Sequence, residues 1–350
     1  MINLAFRVDG GASIGMGHVM RCLALASFLP DNVKTSFITV KNPIVNYLIK
    51  NNGYKVINLP GLISLDEELV KVKNIIDHYS IDIVITDSYK INNVYLSRLK
   101  EVVERLVSIH DFAPHPFSSD IVINGNIYGS KLNYISSTGE SKFLLGTKYT
   151  IMRKEFYNLP IKKIDRDVKR VLITVGGGDS LNLTPKILTA IRGLQEFMTK
   201  ENREIYYKNI HFDIVIGPAF ENIGLIVEKI EDICLQVSLH FNIKQISNLM
   251  VKSDLAISAG GSTLCELSAV GIPTISLLQA QNQILAAEWM ERQGIIENLG
   301  FGDNVLVGEI TDRLVSLIEN YNLRIKMSRK GQELFDGFGA ERCVEEILSF

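Results

Sequence analysis

A histidine that follows a glycine-rich turn is the first residue in the sequence that could do chemistry. Apolar residues alternate over residues 4–8, as in a strand, three glycines follow, and a helical pattern then begins at Gly17 and His18. The positive end of a helix dipole disfavours an imidazolium ion, so a histidine at this place can accept a proton from water. His18 is therefore a candidate general base, and a capping or ligand-binding side chain is the alternative.

A second glycine turn, which precedes Ser262, could hold an anion. The pattern predicts a strand over residues 255–258, a tight turn through Gly261, and a helix that starts with Ser262 and Thr263. Backbone N–H groups at a helix start, two hydroxyl groups and the close approach that glycine permits together suit a phosphate. The alternative is an ordinary N-cap beside a glycine turn.

Three more polar side chains lie near this second turn in the predicted structure. Glu266 comes four residues after Ser262 and is therefore on the same side of the helix, where a carboxylate can accept hydrogen bonds from ribose hydroxyls. Asn282 and Gln283 follow the next predicted strand, which ends at the same edge of the sheet. We therefore expect a polar rim at this edge.

Polar residues also follow a predicted strand in the first half of the chain. A buried strand is predicted over residues 81–86, and Asp87 and Tyr89 come directly after it. They should lie at the carboxyl edge of the sheet, where ligands of α/β proteins bind. Arg21, one turn after His18 on the first helix, could either reach a phosphate or cover the helix surface.

The second half of the chain starts as the first half does. An apolar strand is predicted over residues 170–175, and Gly177, Gly178 and Asn182 then lead into a helix. The spacing does not fit the dinucleotide fingerprint G-x-G-x-x-G. The charged, proline-bearing stretch 158–169 between the halves is the best linker candidate, so we expect domains at residues 1–160 and 169–350.

Bulk composition excludes several classes of partner. The chain has 350 residues with 37 basic and 39 acidic side chains, and the sequence shows no basic patch that could hold nucleic acid or an anionic membrane. The charge-free run 267–287 is interrupted at strand-and-loop spacing, so we reject a membrane span. Arg7 and Asp9 lie inside the first apolar run, which is not a signal-peptide pattern, and we expect a cytosolic protein.

Possible metal ligands have simpler interpretations. His110, Asp111 and His115 are close in sequence, but we favour a loop whose polar groups bind the backbone. The motif 165–167 has the D-x-D form and sits in the charged linker, where we interpret its acids as solvent-exposed charges and not as metal ligands. The cysteines at positions 22, 234, 265 and 343 lie far apart in apolar surroundings and are expected to be reduced packing residues. We expect no metal site.

Taken together, these blocks resemble the GT-B architecture, an α/β fold in which two Rossmann-like domains face each other across a cleft. Residues 9–26, D-G-G-A-S-I-G-M-G-H-V-M-R-C-L-A-L-A, are similar to the start of the hydrolase family of the pseudaminic-acid pathway. That family acts on UDP-2,4-diacetamido-2,4,6-trideoxy-β-L-altropyranose. Residues 87–89, 144–156, 174–184 and 258–283 resemble the family in the same order, so the similarity covers most of the chain.

The resemblance implies a role for each half. The N-terminal domain would carry the catalytic histidine, the C-terminal domain would bind UDP, and the last helix could pack back on the N-terminal domain. His18 would prepare the attacking water, while Tyr89 and Asn282 would help to hold sugar and water. Family members often carry paired acids where this chain has His110 and Asp111. The substrate-binding residues that we expect are Gly15, Gly17, Arg21, Asp87, Gly177, Gly178, Asn182, Gly261, Ser262, Thr263, Glu266 and Gln283.

The expected products are UDP and a free amino sugar, formed with inversion, and no metal or cofactor is needed. Two other functions fit the same pattern. A glycosyltransferase would pass the sugar to a hydroxyl group, but residues 42–63, where the first domain would carry an apolar and basic acceptor surface, contain few basic side chains. A catalytically silent protein would bind the UDP-sugar and leave it intact. The sequence favours the hydrolase.

Overall fold

The computed structural model describes residues 1–11, 14–200, 207–241 and 243–349. The chain divides into two units, which we call unit 1 (Met1–Tyr157 with Phe338–Phe350) and unit 2 (Asn158–Gly337). It passes from unit 1 to unit 2 at the beginning of the charged stretch 158–169. The last segment of the chain is grouped with unit 1, although it follows unit 2 in sequence.

Unit 1 is a parallel sheet with helices on its faces. Its described residues form seven strands, which are β1 (Ile2–Val8), β2 (Val33–Val40), β3 (Lys55–Leu59), β4 (Ile83–Asp87), β5 (Arg105–Ile109), β6 (Ile121–Asn124) and β7 (Lys142–Leu145). Their order in the sheet is β3-β2-β1-β4-β5-β6-β7, and every pair is parallel. The helices that connect the first five strands are α1 (Gly17–Ala26), α2 (Pro43–Asn51), α3 (Leu65–Tyr79) and α4 (Asn93–Lys100).

Unit 2 repeats this plan. In the part of it that the structure describes, six strands form a parallel sheet in the order β10-β9-β8-β11-β12-β13. The strands are β8 (Arg170–Thr174), β9 (His211–Ile216), β10 (Gln236–Phe241), β11 (Leu255–Ala259), β12 (Thr274–Leu278) and β13 (Ile296–Phe301). The helices are α5 (Leu183–Lys200), α6 (Ile223–Glu231), α7 (Ser247–Lys252), α8 (Thr263–Val270), α9 (Ile284–Arg292), α10 (Val307–Glu319) and α11 (Tyr321–Leu334). The final helix, α12 (Gly339–Leu348), belongs to unit 1.

Both sheets have the strand order of a Rossmann fold, and this order decides where a ligand can bind. In unit 1 the order reverses between β1 and β4, and in unit 2 it reverses between β8 and β11. The connections leave such neighbouring strands toward opposite faces, which opens a crevice at their carboxyl ends. Residues directly after these four strands are therefore the best placed to meet a ligand.

Local sequence explains the elements that border these crevices. Helix α3 begins with a capping box between Ser64 and Glu67. Gly271 ends α8 in a left-handed conformation with φ of 85°, as expected for glycine at this position. Residues 267–287 form the end of α8, strand β12 and the start of α9. Among the described residues, no helix is both long and apolar enough to cross a membrane.

Strand β1 is buried on both faces over residues 4–8. Arg7 lies within it and is 1% exposed. Its Nε donates to Glu68 Oε1 at 2.8 Å and its Nη1 donates to Asp9 Oδ1 at 2.7 Å. The hydroxyl of Tyr95 donates to the same oxygen of Glu68, and that of Ser88 donates to Asp9. These two carboxylates therefore balance the charge of the buried Arg7 and offset the cost of removing it from water.

Helix α12 completes the core of unit 1. Its side chains Cys343, Val344 and Ile347 pack in the same apolar cluster as β1, β4 and α1. The helix approaches the main chain closely at its first residue, Gly339, where an added Cβ atom would lie 2.2 Å from the carbonyl oxygen of Thr150. Only glycine allows this approach.

We expect Gly339→Ala to destabilise unit 1 by roughly 1–3 kcal/mol, because the methyl group pushes α12 away from Thr150. Urea unfolding followed by far-UV circular dichroism measures the loss, while the fluorescence of Trp289, the chain's single tryptophan, reports unit 2 separately. Gly308→Ala is the matched control, since a Cβ atom there would meet nothing within 4 Å. Equal effects of the two substitutions would refute this account of α12.

Candidate functional site

The turn after β1 places His18 at the crevice of unit 1. Gly11 and Gly15 form a bridge in which the N–H of Gly15 donates to the carbonyl oxygen of Gly11 at 2.7 Å. Gly15 has φ of 86°, a conformation that favours glycine. Ala12 and Ser13 of this turn lie outside the described residues. Helix α1 then begins at Gly17, as predicted, and His18 is its second residue.

A buried carboxylate holds the His18 ring. Nδ1 of His18 lies 2.6 Å from Oδ1 of Asp87, the last residue of β4. A carboxylate only accepts, so this contact requires a proton on Nδ1 and leaves Nε2 of the neutral ring as a proton acceptor. Sequence analysis expected Asp87 to bind substrate. That role stays a prediction; the residue is 0% exposed and its carboxylate contacts protein groups.

Arg21 points its guanidinium at two carboxylates of unit 1. Its Nε and Nη2 each donate to one oxygen of Asp87 at 2.6 Å, and its Nη1 donates to Asp111 Oδ1 at 2.6 Å. The guanidinium therefore bridges two carboxylates, a geometry that suits its planar fork of donors. Burial alone would raise the pKa of Asp87, but Arg21 and His18 hold that pKa below its ordinary value.

Asp111, which the sequence pattern suggested only as a loop residue or a metal ligand, belongs to this site. It follows β5, the neighbour of β4, and its Oδ1 also accepts a hydrogen bond from Asn126 Nδ2 at 2.8 Å. Tyr89 donates its hydroxyl to Asp111 Oδ2. Burial opposes ionisation of Asp111, yet the Arg21 guanidinium and these donors keep its pKa well below the ordinary value. The signal available in the sequence was an acid directly after a strand beside Asp87.

We call His18, Arg21, Asp87, Tyr89 and Asp111 the His18 cluster. Arg21 balances one of the two carboxylates, so the cluster keeps one net negative charge while His18 is neutral. A proton on His18 would neutralise the cluster. Burial and Asp111 raise the pKa of the Tyr89 hydroxyl, which therefore stays a neutral donor. The arrangement suits a base that takes a proton from a bound nucleophile.

The other possible metal ligands and the cysteines do not form a centre. Within the described residues, no group of three His, Cys, Asp or Glu side chains is arranged to hold a metal ion. His110 is buried, and its Nδ1 accepts a hydrogen bond from the N–H of Phe112 at 3.1 Å. Asp165 and Asp167 are exposed. The expectation of apolar surroundings for all four cysteines is wrong for Cys234, which is exposed.

The turn before α8 is open at the crevice of unit 2. Gly260, Gly261, Ser262 and Thr263, which we call the α8 turn, directly follow β11. Ser262 is exposed and its side chain does not cap the helix. Among the described residues, the N–H groups of Ser262 and Thr263 have no hydrogen-bond acceptor. These donors and the positive end of the helix dipole suit an anion.

The turn before α5 differs, although its sequence has similar glycines. Asp179 accepts hydrogen bonds from the N–H groups of Leu183 and Thr184 at 2.6 and 2.8 Å, so its own carboxylate already occupies this helix start. Gly177 and Gly178 precede it, and Asn182 adopts a left-handed conformation with φ of 50°. This turn follows β8 beside the α8 turn, and its helix start is capped by the side chain of Asp179.

The remaining predicted residues surround the α8 turn. Glu266 is buried one turn into α8. Gln283 approaches Gly260 closely, since a Cβ atom on that glycine would lie 2.9 Å from Cβ of Gln283, and its Oε1 accepts a hydrogen bond from the N–H of Gln279 at 2.8 Å. Asn282 is exposed beside it in the turn that follows β12. The predicted polar rim therefore exists at this edge of unit 2.

Comparison with known proteins finds relatives that match most of this chain. No family model matches it. An uncharacterized protein of Methanocaldococcus jannaschii is 30% identical over 298 residues, which are 81% of this chain and 57% of that protein. The spore coat polysaccharide biosynthesis protein SpsG of Bacillus subtilis is 27% identical over 342 residues, which are 96% of this chain and 95% of that protein. A UDP-2,4-diacetamido-2,4,6-trideoxy-beta-L-altropyranose hydrolase of Campylobacter jejuni is 24% identical over 297 residues, which are 84% of this chain and 97% of that protein. The chain spans little more than half of the Methanocaldococcus relative.

Solved structures show the fold. MurG of Acinetobacter baumannii has a TM-score of 0.70 at 13% identity, with 99% of each chain covered. A complex of S. aureus MnaA with UDP has a TM-score of 0.61 at 14% identity, with 99% of this chain and 96% of that chain covered. A UDP-GlcNAc 2-epimerase of Neisseria meningitidis bound to UDP-GlcNAc has a TM-score of 0.58 at 13% identity, with 99% and 100% covered. The predicted GT-B type of fold, with two Rossmann-like domains, is confirmed.

The His18 cluster predicts how unit 1 responds to acid. The pKa of Asp111 is lowered in the folded protein, so its contribution to stability is present above its ordinary value of 3.8 and is lost as the pH falls through the lowered value. Between pH 7 and pH 3, we expect Asp111→Asn to lose less of its free energy of unfolding than the wild type, by about 1 kcal/mol.

Urea unfolding at the two pH values, followed by far-UV circular dichroism, measures this difference. The Asn variant should also be less stable at pH 7, because Arg21 and Tyr89 lose a charged partner. Asp77→Asn, at an exposed position of α3, is the control and should follow the wild type. The account fails if Asp111→Asn shows the same acid dependence as the wild type.

Proposed function

We propose that this chain hydrolyses a UDP-linked 2,4-diacetamido-2,4,6-trideoxy sugar of the β-L-altropyranose type to UDP and the free sugar. The observation that carries the proposal is the contact of His18 with the buried Asp87 at the crevice of unit 1. The GT-B fold and the relatives support the broader statement that the chain is a nucleotide-sugar enzyme. Two relatives named for this hydrolysis support the specific reaction.

His18 would act as the general base. Asp87 keeps the proton of the neutral ring on Nδ1, so Nε2 is the nitrogen that can take a proton from water. Asp87 also stabilises the imidazolium that forms, as the aspartate of a serine protease triad does. The net negative charge of the His18 cluster favours the positive charge that develops on the sugar in the transition state.

The bonds change as follows. The oxygen of water attacks the anomeric carbon and forms the new C–O bond, while the bond from that carbon to the β-phosphate oxygen breaks. The electron pair leaves with UDP, and the proton of the attacking water goes to His18 and then to solvent. If water attacks opposite the leaving group, the configuration at the anomeric carbon inverts. A diphosphate leaves readily, so the protein needs to stabilise its charge and does not need a strong acid.

Unit 2 would bind UDP. The open N–H groups of the α8 turn are suited to the diphosphate, whereas Asp179 already occupies the N–H groups of Leu183 and Thr184 at the start of α5. Glu266 would accept hydrogen bonds from the ribose hydroxyls. Gly177, Gly178 and Gln283 would line the nucleotide from the neighbouring turns, and Asn282 would help to hold the attacking water.

A specific observation favours a second function, that of a glycosyltransferase. Ile44 and Tyr47 of α2 are 69% and 71% exposed, so this region carries apolar surface although it has few basic side chains. They lie near the first glycine turn, since Asn42, the N-cap of α2, is 2.9 Å from a Cβ atom built on Gly11. Such a surface would suit an acceptor with an apolar part, whose hydroxyl would replace water as the nucleophile.

Release of UDP from UDP-2,4-diacetamido-2,4,6-trideoxy-β-L-altropyranose in buffer without any acceptor tests the proposal. A hydrolase releases UDP continuously, and His18→Ala should slow this release by on the order of 10²- to 10⁴-fold. His78→Ala, at an exposed position of α3, is the matched control and should keep the wild-type rate. In water enriched in ¹⁸O the UDP should stay unlabelled, because the broken bond is that to the anomeric carbon.

Binding of the UDP-sugar without release would overturn the hydrolase and leave a transferase or a silent binding protein. Addition of candidate acceptor lipids then separates these two, since only a transferase releases UDP on their addition. An unchanged rate in His18→Ala would overturn the role of the base even if hydrolysis is observed.

A further inference from the structure

A buried histidine outside the His18 cluster has a ring nitrogen that is open to solvent. His110 directly follows β5 and is 6% exposed. Its Nδ1 accepts a hydrogen bond from the N–H of Phe112 at 3.1 Å, whereas its Nε2 has no hydrogen-bond partner among the described residues. In the described chain, the buried side-chain polar atoms that lack a partner belong to Asn46, Thr184, Ser276 and Arg324. Nε2 of His110 is not one of these atoms, so it is accessible.

The contact with Phe112 decides where the proton of the His110 ring lies. A backbone N–H can only donate, so Nδ1 must be unprotonated, and the neutral ring carries its proton on Nε2. Burial lowers the pKa of His110, which keeps the ring neutral. His110 is therefore the opposite tautomer of His18, and it offers a hydrogen-bond donor where His18 offers an acceptor.

Hydrogen bonds to the main chain hold His110 in place. Its N–H donates to the carbonyl oxygen of Ile123 at 3.0 Å, and its carbonyl oxygen accepts from the hydroxyl of Tyr134 at 2.9 Å. Asn124 Nδ2 donates in turn to that hydroxyl at 2.8 Å. The donor is fixed before any ligand arrives, so a ligand that binds to it loses little affinity to the ordering of the protein.

Tyr89 contacts both histidines. Its ring centroid lies 4.6 Å from that of His18 and 5.6 Å from that of His110. The side chain of Tyr89 is 44% exposed, although its hydroxyl donates to Asp111. A ligand that covers the exposed part of this ring can therefore reach the acceptor of His18 and the donor of His110.

We infer that the Nε2–H of His110 donates a hydrogen bond to an oxygen atom of the sugar, on the side away from the anomeric carbon. The inference rests on the proposed function, in which the anomeric carbon lies one water molecule from His18. A pyranose that extends from there across the Tyr89 ring brings its other substituents to His110. A neutral N–H suits a hydroxyl or carbonyl oxygen, because it replaces a hydrogen bond that this oxygen loses with water.

Two substitutions of similar polarity test this donor. In His110→Asn the side-chain oxygen can still accept from the N–H two residues along the chain, but no donor reaches the place of Nε2. In His110→Gln the longer side chain carries its amide N–H groups to that place. Both are combined with His18→Ala so that the sugar is not consumed. Calorimetry then measures the affinities for UDP-2,4-diacetamido-2,4,6-trideoxy-β-L-altropyranose and for UDP, and far-UV circular dichroism establishes that each variant is folded.

We expect His110→Asn to weaken the binding of the UDP-sugar by roughly 3- to 10-fold, the effect of one hydrogen bond, and to leave that of UDP unchanged. His110→Gln should stay within about twofold of the parent for both ligands. His115→Gln is the matched control and should bind both as the parent does. The ring nitrogens of His115 already face the carbonyl oxygens of Pro116 and Ile91.

Equal affinities of the Asn and Gln variants for the UDP-sugar would overturn the inference and leave the hydrolase intact. A loss that extends to UDP alone would also overturn it, because UDP carries no sugar. If the wild type binds the UDP-sugar without hydrolysing it, the proposed reaction fails, and the comparison of affinities still decides on His110. If the wild type does not bind the UDP-sugar, both fail.

A second measurement needs no substitution at His110. In long-range ¹H–¹⁵N spectra of His18→Ala, the neutral His110 ring should carry its proton on Nε2, and this N–H signal should move downfield on addition of the UDP-sugar but not of UDP. A proton on Nδ1, or a signal that the UDP-sugar leaves unchanged, would contradict the inference.

Discussion

The candidate site of unit 1 depends on a carboxylate that has no access to water. Removing an isolated carboxylate from water costs several kcal/mol even after the protein relaxes. Asp87 is fully buried, and Arg21 meets this cost by donating to both of its oxygens. The contact with His18 follows, because Asp87 Oδ1 is held beside the first turn of α1. Asp111 then holds Arg21 from its other side.

The strand order explains why residues so distant in sequence meet. Strands β1, β4 and β5 are neighbours, so the segments that follow them leave the sheet at one edge. His18 comes after β1, Asp87 ends β4, and Asp111 comes after β5. Since the order reverses between β1 and β4, the first two residues also border the crevice. The fold therefore assembles the His18 cluster from three separate connections.

Much of this arrangement could be predicted from the sequence. The alternating pattern and the glycines predicted the strand, the turn and the helix that carry His18, and a strand ending in Asp87 predicted its place at the sheet edge. The pattern could not show that Asp87 is buried, because position at the end of a strand says nothing about what covers it. Nor could spacing reveal the partner of Arg21, since Asp111 lies 90 residues away.

The starts of α5 and α8 show a second feature that the sequence pattern could not predict. Both follow glycine turns, and the sequence pattern predicted a phosphate only at the start of α8. A side chain decides between them, because Asp179 caps α5 whereas Ser262 leaves the start of α8 open. Sequence spacing alone does not tell which polar residue turns back onto its helix. The tautomer of His110 could not be predicted for a similar reason, since it depends on the N–H of Phe112 in the loop after β5.

The proposed role of His18 as the base depends on which of its two ring nitrogens carries the proton. Long-range ¹H–¹⁵N correlation spectra of the protein labelled at histidine report the tautomer of each neutral ring directly. We predict that His18 carries its proton on Nδ1 and that Nε2 is unprotonated, because Asp87 can only accept. A neutral His18 ring with its proton on Nε2 would show that Asp87 does not hold it, and would contradict its role as the base.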